Sequence, residues 1–178
     1  MHYEDFFLEL EKLPVPDHRR STRGYGAVLG INDVVIHKKM HSPTKGAKDL
    51  EVRIVEFFLK LPLEVQHYLV QKRLVGNPQE EQPNLFKFAV LDEAKTEMLE
   101  MGMSKMGFYS LLGIRNSVFD HAQERDHVMT NLAYLLETFK YFSKEEKLVL
   151  AAEYEVSAKK AKLLASEVAE LQEKKAEA

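Results

Sequence analysis

Cysteine is absent from the 178 residues. That excludes a disulfide framework, a thiolate metal site and a cysteine nucleophile, and it suits a reducing cytoplasm. Long apolar runs are absent too. Although 45% of the residues are hydrophobic, no stretch approaches the roughly 18–20 apolar residues that cross a bilayer. The opening Met1-His2-Tyr3-Glu4-Asp5-Phe6-Phe7 carries acids where a secretory signal has Lys or Arg, and Glu9 and Glu11 interrupt its apolar run. The expectation is a cytoplasmic protein with no membrane partner. Signatures of catalysis are missing as well. Gly24, Gly26 and Gly30 lack the order of a dinucleotide loop and the Gly-Lys-Ser/Thr ending of a phosphate loop. His37 and His41 are four residues apart, but no HExxH glutamate or third ligand accompanies them, and His121 and His127 have no better support. No Ser-His-Asp set or carboxylate pair assembles. Enzyme activity, a metal and a cofactor are therefore not expected, and Met98, Met101, Met103 and Met106 read as filling for a core or interface.

What the chain does have is an uneven distribution of charge. Its net charge is −3, yet between His18 and Lys48 seven bases (Arg19, Arg20, Arg23, Lys38, Lys39, Lys45 and Lys48) face one acid, Asp33. That segment carries +6 and the remainder −9. Positive charge gathered in one segment of an acidic protein suits a polyanion, because the rest of the surface repels one. Nucleic acid is the first candidate.

Apolar spacing predicts helices almost throughout. Tyr3, Phe6, Phe7 and Leu10 mark a short helix over 2–12 that stops before Pro14 and Pro16; Leu50, Ile54, Phe57 and Phe58 mark a helix over 47–60. Pro62 suits the first turn of a helix running to Gly76, Asn77 to Pro83 reads as a polar loop, and further helices follow over 85–102 and 126–142. Two regions are suggested: residues 1–76, with the basic segment, and 84–178, ending in a long helix. Ser143-Lys144-Glu145-Glu146 is a capping box that starts this last helix. From Leu150 through Tyr154, Ser157, Ala161, Leu164, Val168 and Leu171 the spacing alternates between four and three, as in a heptad seam. Either the helix packs back on its own domain or Leu150, Tyr154, Leu164, Val168 and Leu171 join two copies as a homodimer.

One short pattern occurs twice. Gly26-Ala27-Val28-Leu29-Gly30-Ile31 and Tyr109-Ser110-Leu111-Leu112-Gly113-Ile114 lie 83 residues apart, and in both an apolar pair follows at the fourth and fifth positions after the Ile. A glycine flanked by apolar residues suits the turn between two locked helices, since the chain visits positive φ there. The pattern resembles the helix-turn-helix superfamily of phage repressors and Cro-like regulators. That motif of about 20 residues places a small residue four before the turn glycine and an apolar residue six after it. Gly26 and Ile36 match in the first copy; Tyr109 and Phe119 stand there in the second, where Tyr109 is expected to push the helices apart. The resemblance implies an all-α fold that binds double-stranded DNA. The positions facing the major groove correspond to Asn32, Asp33, Val34, His37, Lys38 and His41, and in the second copy to Arg115, Asn116, Ser117, Asp120, His121 and Glu124. Asp120 and Glu124 disfavour phosphate, so the first copy is expected to be the stronger reader. Arg19, Arg20 and Arg23 would form an arm on the backbone or minor groove, and Lys39 a further phosphate contact.

An alternative for the first copy is a β-hairpin over 26–38, turning at Asn32-Asp33 with Val28–Gly30 beside Val34–Ile36. The functional expectation is a transcriptional regulator of bacterial or phage type acting as a homodimer. Its rival is an adaptor that takes a protein partner through the C-terminal helix, its basic patch meeting an acidic surface. An RNA-binding module is a second rival, weakened because Tyr25 alone offers an aromatic near the arginines.

Overall fold

The computed structural model describes residues 3–40, 49–76 and 78–177, and among these every regular element is helical. α1 (Tyr3–Glu11) leads through a 3-10 turn at Asp17–Arg19 into α2 (Thr22–Leu29), α3 (Asp33–Met40), α4 (Asp49–Lys60) and α5 (Leu63–Val75). α6 (Pro78–Glu81) and a second 3-10 turn at Pro83–Phe86 connect to α7 (Phe88–Glu100), α8 (Lys105–Leu112), α9 (Asn116–Arg125), α10 (Thr130–Phe139), α11 (Lys144–Tyr154) and α12 (Ala158–Ala176). The hairpin alternative is thereby corrected. Residues 26–38 form helix, turn and helix, because Gly30 adopts φ 67° and its amide and that of Ile31 both donate to the Gly26 carbonyl, closing α2 instead of extending it. The polar loop expected over 77–83 also contains structure, the short α6 and the start of the 3-10 turn.

A second correction concerns the C-terminal seam. Ser143 caps α11 as anticipated: its hydroxyl accepts from the Glu146 amide at 3.2 Å while its own amide donates to the Glu146 carboxylate at 2.7 Å. The helix then stops at Tyr154. Glu155 is extended, and its carboxylate accepts from the Ser104 amide and hydroxyl, each at 2.6 Å, and from the Ser157 amide at 2.8 Å. These bonds hold a corner, and α12 folds back along α11 so that Lys175 pairs with Glu145. Leu150 and Leu164 are buried within the chain, and Tyr154 and Val168 pack against the same core, whereas Leu171 stays exposed. Periodicity continued across the corner because both helices of the hairpin press apolar residues inward.

The chain is built twice. α2 to α5 and α8 to α11 follow the same order, their starts offset by 81 to 83 residues. Ser21 caps α2 by accepting from the Gly24 amide and Ser104 caps α8 by accepting from that of Gly107, so the repeated string begins at Ser-x-x-Gly, earlier than its Leu-Gly-Ile core. Contacts between the halves are reciprocal. A Cβ on Gly30 would lie 2.9 Å from the Thr130 carbonyl at the start of α10, and one on Gly113 would lie 2.5 Å from the Asp49 carbonyl carbon at the start of α4. α4 and α10 pack along each other, with the Phe57 and Phe139 rings 6.4 Å apart.

Polar clusters repeat the exchange. On α10, Tyr134 and Glu137 receive Arg73 from α5: the guanidinium lies 4.3 Å over the Tyr134 ring and binds the carboxylate at 2.9 Å. On α4, Arg53 and Glu56 receive Tyr154 from α11, with Arg53 at 4.0 Å over that ring and the Tyr154 hydroxyl donating to Glu56 at 2.7 Å. All three positions differ by 81, and arginine and tyrosine have changed places. Such mutual contact, unit i on j and j on i, is what an approximate two-fold relation requires. One apolar core runs through both halves.

Candidate nucleic-acid interface

The first copy brings its helices together as its glycine suggests. A Cβ on Gly26 would lie 2.5 Å from the Ile31 carbonyl oxygen, so only a residue without a side chain lets α2 approach the turn this closely. Ile36 is buried and fixes α3 by its inner face. Opposite it, Asp33, Val34, Val35, His37 and Lys38 are exposed, and Val34 remains 52% accessible. Two uncovered valines beside a lysine on a short helix are more than packing needs. Lys39 also belongs to α3, while His41, Lys45 and Lys48 lie outside the described residues.

Asn32 caps α3. Its side-chain oxygen accepts from the Val34 amide at 2.9 Å, a donor shared with the Asp33 carboxylate at 2.8 Å, which commits the carbonyl half of this exposed amide to the fold. Arg23, on α2, joins Asn32 and Asp33 around a concavity of about 480 Å³ that Thr130 and Tyr134 complete from the second half. Arg19 is exposed on the 3-10 turn. Arg20 has another role: Nε donates to the Val15 carbonyl at 3.1 Å and Nη1 to that of Glu11 at 3.4 Å, with Asp17 at 3.2 Å. The three arginines are therefore not a loose arm. They lie on a folded turn and the start of α2, anchored by buried Leu13 and Val15.

The second copy has the same turn, Gly113 at φ 65° with the Ile114 amide on the Tyr109 carbonyl at 3.0 Å, but a different crossing. Tyr109 is buried between Phe108 and Phe119, and α8 and α9 make few mutual contacts where α2 and α3 make many. A cavity of about 760 Å³ lies between this turn and the start of α4, with Tyr109 in its lining. Arg115, Asn116, Ser117 and His121 are all exposed. Both acids of this face have local partners: Asp120 accepts the Asn116 amide at 2.9 Å, and Glu124 lies 3.3 Å from His121. α9 thus adds no net positive charge, in contrast to the first copy.

No family model, curated protein or solved structure matches the chain. The reading of this surface accordingly rests on its own residues. Among the described residues no helix is long and apolar enough to cross a membrane. Ser21, Ser104, Thr130 and Tyr134 are the positions that sequence reasoning passed over. The two serines were visible as a shared Ser-x-x-Gly, whereas Thr130 and Tyr134 meet the first turn only through the exchange between halves.

Proposed function

We propose that this protein is a sequence-specific regulator of transcription of bacterial or phage type, binding double-stranded DNA in the cytoplasm. The observation that carries the reading is α3: a short helix locked from behind by Ile36 and Gly26, which offers Asn32 at its cap and Val34, His37 and Lys38 on its outer face, with Arg23 alongside the cap. Arg and Lys neutralise phosphates, an amide NH2 suits a base edge, and valine suits a thymine methyl. A second chain is not required, since most of the seam packs within one molecule.

Two outcomes test this. Replacing Arg19, Arg23 and Lys38 by Ala is expected to weaken binding to all duplexes alike and to flatten the plot of log K against log salt by roughly 2–3 units, about 0.9 for each lost phosphate contact. An unchanged slope would remove these side chains from the interface. For Asn32, Ala would also remove the cap and cost roughly 0.5–2 kcal/mol of stability, so Asp is the cleaner probe. Asn32→Asp keeps the capping oxygen, loses the NH2 and adds a charge beside Asp33 that weakens every duplex alike, so the comparison with random duplex isolates the base contact. Affinity for the preferred site is expected to fall beyond that for random duplex by roughly 1–3 kcal/mol, read by fluorescence anisotropy; equal losses would confine Asn32 to the fold.

A second reading, an adaptor, is favoured by the outward face of α12, where Leu163 is 59% exposed beside a run of lysines and glutamates. Absence of duplex binding at low salt would leave that reading in place.

A further inference from the structure

The two halves of the chain present their turns at one end of the molecule. α4 and α10 run in the same direction: Asp49 and Leu50 share a cavity with Met129 and Asn131 at their starts, and Phe57 meets Phe139 and Phe142 towards their ends. Gly30 sits on the start of α10 and Gly113 on the start of α4. Both turns, and the beginnings of α3 and α9 that follow them, therefore flank the same end of the α4–α10 pair, one on each side. Two separate repressor subunits reach this arrangement by dimerising; here it is covalent.

Resting on the reading above, we propose that a single chain occupies a single bipartite duplex whose two half-sites differ, α3 reading one and α9 the other. The difference follows from the residues. Around the turn and α3, Arg23 and Lys38 outnumber Asp33, and the apolar Val34 and Val35 are exposed. Around α9, Arg115 and Arg125 are balanced by Asp120 and Glu124, and the exposed groups at its start are Arg115, Asn116 and Ser117. An arginine at the N-cap of a reading helix, as Arg115 is on α9, suits the paired acceptors of guanine, whereas valines suit a thymine methyl. Head one supplies phosphate attraction and head two mainly base selection, which becomes effective because the first head holds it at high local concentration. Two identical half-sites cannot satisfy two unlike helices, so a perfect palindrome is not the preferred target.

The test is selection of bound sequences from a random 30-base-pair duplex pool by the full chain, followed by mass determination of the complex on the recovered duplex. The expected result is one chain per duplex and a motif with two unlike halves. Arg115→Ala with Ser117→Ala should lower affinity roughly 5- to 150-fold, the range of a paired base-edge contact, and repeating the selection with this variant should erase one half of the motif. It should leave the salt slope nearly unchanged, since the proposal places Arg115 on a base edge and not on a phosphate. Asn32→Asp should erase the other half. Circular dichroism melting of each variant establishes that it is folded. Two chains on a palindrome, or an α9 variant that recovers the whole motif, would overturn the proposal while leaving DNA binding intact. Recovery of no sequence at all would overturn both readings.

Discussion

Replacing Arg73 with Ala is expected to destabilise the protein by about 3 kcal/mol, the lower end of the cost of breaking a buried ion pair, because Lys72 still holds the Glu137 carboxylate at 2.6 Å. Arg73 is 3% exposed and its guanidinium makes bonds that no smaller side chain replaces: Nε and Nη2 to the Glu137 carboxylate at 3.1 and 2.9 Å, Nη1 to the Val28 carbonyl at 2.9 Å and Nη2 to that of Tyr134 at 3.0 Å. Through Val28 it ties the last turn of α2 to α5 and α10. Its removal thus leaves Glu137 to Lys72 alone and takes the donor from the Val28 carbonyl at the joint between the halves, while the Tyr134 carbonyl keeps the Thr138 hydroxyl at 2.9 Å. Arg73→Lys should recover only part of the loss, because an ammonium cannot span acceptors on three sides. Urea unfolding measures both, and a loss below about 1 kcal/mol for the alanine variant would show that water replaces the network.

The same pair sets an acid dependence. Burial alone would raise the pKa of Glu137, but Arg73 and Lys72 outweigh it and hold the carboxyl below its ordinary value. A group whose pKa is depressed on folding adds stability above its unfolded pKa, and that stability is lost as pH falls through the folded one. The native protein should therefore weaken on acidification below the ordinary carboxylate range, about pH 4. In Arg73→Ala burial is less opposed, the Glu137 pKa rises and this part of the acid dependence should flatten.

Much of the fold was legible because helix signals are local. The Ser143 capping box, the prolines at 14, 16 and 62 and the spacing around Phe57 and Phe58 each act within a few residues, and the helices stand within a few residues of where they were expected. The corner at Glu155 was not legible. It depends on Ser104, 51 residues away in sequence, and a run of apolar residues spaced by four and three reads the same in one long helix or two antiparallel ones. Duplication was half visible. Leu-Gly-Ile stood out, but the exchange of arginine and tyrosine between Arg53–Tyr154 and Tyr134–Arg73 hides the correspondence from residue-by-residue comparison, although stacking needs one of each in either order. At the candidate interface the glycine crossing and the exposed face of α3 followed from the motif. The engagement of Arg20 with Val15 and Glu11 did not, since charge alone does not distinguish a phosphate ligand from a loop clasp.

Gly113→Ala is expected to be the more damaging of the two turn substitutions. At φ 65° any side chain costs about 1–2 kcal/mol for the left-handed backbone. The new Cβ also meets main chain of the other half, 2.5 Å from the Asp49 carbonyl carbon and 2.6 Å from the Leu50 nitrogen, where no rotamer can relieve the overlap. Adding roughly 1–3 kcal/mol for forced displacement brings the expected loss to roughly 2–5 kcal/mol. Gly30→Ala suffers the same backbone penalty at φ 67°, but its closest approaches, to Thr130 and Asn131, are 2.9 to 3.0 Å, so it should fall at the lower end. The strain acts between halves. Each turn can escape it only by moving off the start of the opposite helix, which changes the spacing between the beginnings of α3 and α9. A duplex that needs both helices should therefore lose affinity beyond what a single half-site loses, and Gly113→Ala should do this more than Gly30→Ala. Urea unfolding and anisotropy on full and half duplexes measure the two effects. Equal losses at both glycines, or a stability change under about 0.5 kcal/mol as for ordinary surface positions, would show that the halves do not bear on each other through these turns.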